Sequence, residues 1–391
     1  MYEHVQKRVN GIFERIVAIR RDIHMHPEVG FDVHRTAAIA AAELQKFGLA
    51  VKEGIGKTGL YADLNIPGAT KRIALRADMD ALPILEQNDL PYRSTRDGFS
   101  HMCGHDSHTA MLIGAAEILS GMKEHLAVNV RFIFQPNEEN LPGGALSMIA
   151  DGVLEGVDEI FGLHVWPALQ SGMLGICEGP ALGQPDVFDI EIIGNGGHAA
   201  IPQLTTDPII IGSQFVNAAQ SIVSRNLGPL DAGVVSITQF NSGSAHNVIP
   251  QSAKITGTVR TFDLSVQKKI RRRLEELLSG ITAAHGADYT FKYTEGYPVT
   301  FNHSASVATI LRVGKGFLSE DEINYPTEPT LGGEDFAYYT QKIPGCFMFI
   351  GSRNEEKGCI YSLHDARFQL DEDCMRTGMT MHTLLALNYE N

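Results

Sequence analysis

The order of apolar segments constrains this chain more than any other feature. Residues 187–193 alternate like a strand. Asp207-Pro208 then reads as a helix cap followed by Pro at the first helical position, opening a helix to about Asn226. Residues 234–240 and 253–262 alternate like half-buried strands. Ser265 opens a helix with the stripe Val266, Ile270, Leu274, Leu277 and Ile281, which ends at Gly286. Residues 289–293 close the set. This β-α-β-β-α-β order is the ferredoxin-like plan. On either side the rhythm differs. Helical patterns at 3–23, 36–47, 109–119 and 145–151 interleave with apolar strands at 59–65, 72–76, 128–134, 159–165 and 346–350. That alternation predicts an α/β layer structure. The expected organisation is a larger domain built from residues 1–184 and 298–391, with residues 185–297 inserted as a small domain.

Composition excludes several functions. The 32 basic and 46 acidic residues give a net charge of −14. Such a chain repels phosphate and anionic lipid, so no nucleic-acid or membrane partner is expected. No apolar run approaches the roughly 20 residues of a membrane-spanning helix. The amino terminus mixes charged and apolar residues at helical spacing, unlike a secretory signal. Five dispersed cysteines (Cys103, Cys177, Cys346, Cys359 and Cys374) argue against a disulfide framework and for a reducing, cytoplasmic setting.

Chemistry concentrates in a few loops. In Ser100-His101-Met102-Cys103-Gly104-His105-Asp106-Ser107-His108, Cys103 and His105 can reach one cation, and thiolate with imidazole suits zinc-like metals. Asp106 or Ser107 is placed to cap the following helix. The plainer alternative leaves His101 and His108 solvated. Glu138 and Glu139 follow an apolar strand that ends at Pro136. Neighbouring side chains there diverge, so one carboxylate can bind metal while the other moves a proton, or both form a solvated acidic loop. His164 sits near the end of a strand and His364 follows the last one; each is either a ligand or an ordinary histidine. Ligand sites of α/β sheets gather beyond the carboxyl ends of strands, and these groups follow different strands of one predicted sheet. Asp78 and Asp80 are either hydrogen-bonding supports for the ligands or turn acids. His198 lies in a Gly-rich loop that lacks the phosphate-binding patterns. Arg260 is either a sheet-face charge or a fork for a carboxylate. Cys103 as a covalent nucleophile stays open on the triplet alone.

The segments RRDIHMHPEVGF, RADMDALP, MCGHDSHTAMLIGAA, FQPNEE, GLHVWP, GGHAAIPQ, Asn247-Val248-Ile249-Pro250, GTVRTFD, LGGEDFAYY and SLHDARF follow one another along nearly the whole chain. In that order the sequence resembles the dinuclear-metal amidohydrolases of the aminoacylase and carboxypeptidase superfamily. That group includes hippurate hydrolase, bacterial N-acyl-amino-acid hydrolases and plant auxin-conjugate hydrolases. The resemblance implies a zinc-exopeptidase-like catalytic domain with a ferredoxin-like lid, often used to form a homodimer. It implies that Cys103, His105, Glu139, His164 and His364 bind two divalent ions, the thiolate bridging them. Mn2+ or Zn2+ is expected, with Co2+ or Ni2+ compatible. Glu138 matches the general base. His198 matches a lid histidine that steadies the oxyanion, supplied in dimers by the partner. Asn247 and Arg260 match positions that hold substrate polar groups, and Gly333 lies where the substrate's carboxylate or acyl end is expected. Asn137 stands where Ala is common and Gln203 where many bacterial members have His, which bears on substrate preference. The implied reaction is hydrolysis of an N-acyl amino acid, the alternative being a dipeptidase or aminopeptidase of the same superfamily.

Overall fold

The computed structural model describes residues 1–389, so the last two residues of the expected segment 298–391 lie outside the described part. The chain divides into two compact units: Met1–Ala181 with Thr300–Pro329 and Glu334–Asn391, and Leu182–Val299 with Thr330–Gly333.

The first unit is built on an eight-stranded mixed sheet. Its strands are β1 (Ala50–Ile55), β2 (Gly59–Leu64), β3 (Arg72–Asp78), β4 (Asn129–Gln135), β5 (Glu159–Gln170) and β6 (Leu174–Gly175), joined from beyond the second unit by Ile323–Asn324 and Gly345–Arg353. At its centre β4, β3, β5 and Gly345–Arg353 lie side by side and parallel. Parallel strands are covered on both faces, which is why these read as continuous apolar runs. Helices α1 (Tyr2–Met25), α2 (His34–Lys46) and α3 (His105–Ser120) come early, and a last helix spans Cys374–Leu387. The α1 stripe Val5, Val9, Phe13, Ile16 and Ile23 is buried, as the spacing predicts. Helix α3 and the last helix approach closely through Gly114 against Met379 and Gly378 against Met111; an added Cβ would fall within 2.4 Å of the facing sulfur at either site. Among the described residues no helix is long and apolar enough to cross a membrane.

Helix α3 begins four residues earlier than the sequence pattern suggests. Gly104 adopts φ 89°, a left-handed turn that delivers the chain directly into the helix at His105. Asp106 and Ser107 therefore lie inside the first turn and do not cap it. Asp106 accepts the Ser107 N–H at 2.9 Å and pairs with Arg20 (2.7 Å) and His24 (2.8 Å) of α1. His101 and His108 are buried, not solvated.

The second unit carries β7 (Gln184–Ile193), β8 (Gly233–Ser242), β9 (Ser252–Thr261) and β10 (Asp288–Thr294) in the antiparallel order β8-β9-β7-β10. Two helices, Pro208–Ser221 and Leu264–His285, complete the β-α-β-β-α-β plan. Phe188, Ile190 and Ile192 on alternate β7 positions pack with Ile211, Phe215, Ile270 and Leu274. Asp207 caps the first helix by accepting the Ile209 N–H. That helix ends at Ser221, and the expected extension to 226 is a single wider π turn. The second is capped by Asp263, two residues before the expected Ser265, and ends at left-handed Gly286.

Gly104→Ala is expected to destabilise the fold. Its φ is costly for any residue with a Cβ, and that Cβ would sit 2.4 Å from Val165 Cγ2. A loss of about 2–4 kcal/mol follows from backbone strain plus overpacking. Urea unfolding of the metal-free protein checks this; an unchanged midpoint would contradict it.

Candidate metal centre and active site

The four parallel strands bring their carboxyl ends to one edge of the first unit. Asp78 is the last residue of β3, Glu138 and Glu139 lie just past β4, His164 belongs to β5, and His364 follows Gly345–Arg353. Cys103 and His105 flank Gly104 at the start of α3.

These groups converge. Cys103 Sγ lies 3.4 Å from His164 Nε2. His164 Nδ1 donates to the Val165 carbonyl at 2.7 Å, which leaves Nε2 with its lone pair toward the thiol. Glu139 Oε1 lies 3.8 Å from His105 Nε2 and 3.3 Å from His364 Nε2. The donor atoms of Cys103, His105 and His164 fall within 4.8 Å of one another, as do those of Cys103, Glu139 and His364. Cys103 is thus common to two triads. Both ring nitrogens of His105 and Glu139 Oε1 are buried without a hydrogen-bond partner. Buried polar atoms are normally satisfied, so these orphans fit the binding of a cation.

Supporting contacts fix the donors. Asp80 accepts the N–H groups of Glu138 (2.9 Å) and Glu139 (3.1 Å), and its carboxylate stands 3.5 Å from His105 Nδ1. Asp78 accepts from His108 Nδ1 at 2.6 Å, and His108 Nε2 accepts the Val165 N–H at 3.0 Å. His108 is therefore saturated although its ring lies 5.4 Å from that of His105.

Sequence reasoning missed the centre of this network. Arg76 is fully buried. It donates to Gln135 (2.9 Å), Asp78 (2.6 Å), Glu334 (3.1 Å) and Asp335 (3.0 Å). Asp335 also accepts from Gln135 and from the Ala145 N–H. Oxygens of Glu138, Glu334 and Asp335 fall within 4.8 Å of one another. The adjacent acids in LGGEDF were a usable signal, of the same kind as Glu138-Glu139.

Electrostatics follow from this packing. Burial raises the Glu138 carboxyl well above its usual range, reinforced by Glu334, Glu139 and Asp335. Burial and neighbouring carboxylates likewise raise the Cys103 thiol. Burial opposes charge on His105, yet Asp78, Asp80 and Glu139 push it up to about 10. Burial also opposes charge on Asp78, but His105, Arg76 and His108 hold it well below the carboxylate range. Burial, only partly offset by Arg76, lifts Glu334 to about 8 and Asp335 to about 6.

The remaining expected residues lie in the second unit. The short strand Gly197–His198 pairs with Val248–Ile249, and the Ala199 N–H donates to the Asn247 carbonyl, so His198 and Asn247 are neighbours and exposed. His198 Nδ1 accepts the Ala200 N–H at 3.0 Å. Arg260 donates to the Leu331 carbonyl at 3.2 Å and to Thr258 at 3.2 Å. Gly333 packs on Pro185, where a Cβ would meet Cγ at 2.6 Å.

An α/β sheet that gathers Cys, His and Glu donors and a second carboxylate, Glu138, at one edge has the architecture of a metallohydrolase. The chain belongs to peptidase family M20/M25/M40, whose family model matches residues 74–388. It is a metal-dependent amide hydrolase. It is 40% identical to thermostable carboxypeptidase 2 of Saccharolobus solfataricus, covering 100% of this chain and 99% of that protein. It is 44% identical to an N-acyl-L-amino acid amidohydrolase of Geobacillus stearothermophilus over 77% of this chain and 81% of that one. The crystal structure of the Bacillus subtilis YXEP protein, a dinuclear metal-binding peptidase of the M20 family, superposes with a TM-score of 0.84 at 34% identity, covering 97% and 98% of the two chains.

Arg76→Met is expected to leave Asp78, Glu334 and Asp335 without their cation, at a cost of about 3–5 kcal/mol. Carboxyls whose pKa rises on folding take up protons, so they destabilise the fold above their unfolded pKa and the penalty fades as pH falls. The deficit against wild type, read by urea unfolding of metal-free protein, should be larger at pH 8 than at pH 5. A pH-independent deficit would contradict this origin.

Proposed function

We propose that the protein hydrolyses the amide bond of N-acyl amino acids, with Cys103, His105, Glu139, His164 and His364 holding two divalent ions, Mn2+ or Zn2+. The observation that carries the reading is Cys103 shared by two donor triads, beside buried orphan atoms of His105 and Glu139. When bound, such ions lower the pKa of water toward about 7 and polarise a carbonyl. Glu138 accepts the proton of the attacking water, a role suited to a carboxyl whose burial raises its basicity. It then returns that proton to the leaving nitrogen. Asp80 holds the Glu138 and Glu139 backbone, so base and ligand keep their relative positions. His198, with Nδ1 accepting from Ala200, carries its proton on Nε2 and can donate to the developing oxyanion. Asn247, Arg260 and Gly333 contact the polar ends of the substrate. In this reading the enzyme is a cytoplasmic homodimer paired through its second unit; the five buried, unpaired cysteines accord with a reducing compartment.

The name of the Saccharolobus relative favours a second reading, a carboxypeptidase. Product analysis on an N-acylated dipeptide separates the two: release of the acyl carboxylic acid supports the amidohydrolase, and release of the C-terminal amino acid supports the carboxypeptidase. In the same assay Glu138→Gln should retain both ions, by metal analysis, and lose about 100- to 10,000-fold in kcat. A near wild-type rate would remove Glu138 from its role.

Metal binding should release protons. In the metal-free site both Cys103 and His105 are protonated at neutral pH, so ligation displaces about two protons and affinity rises on the order of 100-fold per pH unit. Calorimetric titration with Mn2+ or Zn2+ between pH 5 and 8 checks this; a flat profile would contradict the ligand set.

A further inference from the structure

The segment RRDIHMHPEVGF, residues 20–31, takes no part in the chemistry above. Two of its residues, Arg20 and His24, are one turn apart on α1 and both are buried. They meet Asp106, the residue after His105, whose carboxylate lies 2.7 Å from Arg20 Nε and 2.8 Å from His24 Nδ1. On the other side of the ring, His24 Nε2 stands 3.3 Å from Oε1 of buried Glu86. Both ring nitrogens therefore face carboxylates, and only the imidazolium can donate to both. Burial and Arg20 oppose that charge, yet the bonds to Asp106 and Glu86 raise the His24 pKa.

The chain of contacts continues within the first unit. Asn88 Nδ2 donates to Glu86 at 3.3 Å and to the Phe368 carbonyl at 3.0 Å, and Asn88 Oδ1 accepts from Gln369 at 3.0 Å. The Gln87 N–H donates to the Ala366 carbonyl at 2.8 Å. Ala366 and Phe368 belong to SLHDARF, the segment that carries His364. Arg20 makes a second link to the same stretch of chain, from Nη1 to Glu372 at 3.3 Å. One end of this clasp thus holds the turn that presents Cys103 and His105. The other end holds the loop that presents His364. No member of the clasp is among the proposed ligands.

We infer that His24 is a positioning residue for the metal centre: by bridging Asp106 to Glu86 it keeps the Cys103–His105 turn in register with the His364 loop, and so sets how tightly cations bind. The inference rests on the ligand set proposed above and adds to it a residue that touches no ion. Donors that are already in place bind a cation without first being gathered. With the clasp cut, every donor remains, but the two segments are no longer tied through the core, and ordering them then opposes binding. Loss of a group that orients metal ligands typically weakens affinity by about 10- to 100-fold.

The test titrates the full chain, stripped of metal by a chelator, with Co2+, whose bond to a thiolate gives a charge-transfer absorption band. Wild type is compared with His24→Gln, whose single amide cannot span both carboxylates, and with Asn88→Ala, which removes only a neutral amide at the far end of the clasp. Urea unfolding of each metal-free protein is measured alongside. Each folded variant should bind Co2+ about 10- to 100-fold more weakly than wild type, and its thiolate band should be shifted or weaker at saturation. A residue that merely supports the fold would lower the urea midpoint and leave the affinity and the band of the folded protein unchanged. That result in His24→Gln, or in Asn88→Ala should His24→Gln fail to fold, overturns the inference. A wild type that binds Co2+ without a thiolate band overturns the ligand set itself, and the positioning role with it.

Discussion

The buried guanidinium of Arg76 gives the site its order. Asp78, Glu334, Asp335 and Glu138 are carboxyls in a dry interior, where each isolated charge costs several kcal/mol. Arg76 answers three of them and Gln135 with one planar fork. A lysine would supply the charge without that geometry. The consequences spread by contact. Asp78, held by Arg76, orients His108 and faces His105. Asp335, held by Arg76, pins Gln135 and the Ala145 N–H, at the two ends of the loop that carries Glu138 and Glu139. The loop carrying Glu138 and Glu139 is therefore anchored through Asp335 from a single residue on β3.

Backbone geometry does the rest. Three residues at the edge of the sheet have positive φ: Gly104 at 89°, Asn137 at 54° and His364 at 65°. For a residue with a side chain that conformation costs on the order of 1–3 kcal/mol and persists only where the surroundings enforce it. Asn137 is held by its side-chain amide, which donates to the Asn140 carbonyl, and asparagine tolerates the left-handed region well. His364 is held by its own N–H, which donates to the Met102 carbonyl at 2.8 Å. That bond ties the last segment of the site to the residue before Cys103. Strain in the loops thus converts distant stretches of chain into one cluster.

Much of this was legible in the sequence because it is local. Apolar runs mark β4, β5 and Gly345–Arg353, and the groups that follow them, Glu138, Glu139, His164 and His364, do meet. The β-α-β-β-α-β run is written in periods of two and 3.6. What stayed hidden depends on distance along the chain or on a single dihedral. Arg76 and Glu334 are 258 positions apart, and nothing near either one announces the other. In LGGEDF the sequence reading singled out Gly333, whereas the two acids beside it, Glu334 and Asp335, complete the Arg76 network. The start of α3 was misplaced because Gly104 turns left-handed, which spacing cannot show.

His105 and His108 show why residue type alone does not define a ligand. They are three apart on one helix, so they share a face and their rings lie together. Asp78 commits an oxygen to His108 at 2.6 Å and stands 3.8 Å from His105. One ring has both nitrogens satisfied and becomes a strut between β3 and β5. The other has neither, and the surrounding carboxylates outweigh burial in setting its charge. Those carboxylates favour a positive occupant of any kind. Asp78, Asp80 and Glu139 together outweigh burial and favour the imidazolium form of His105.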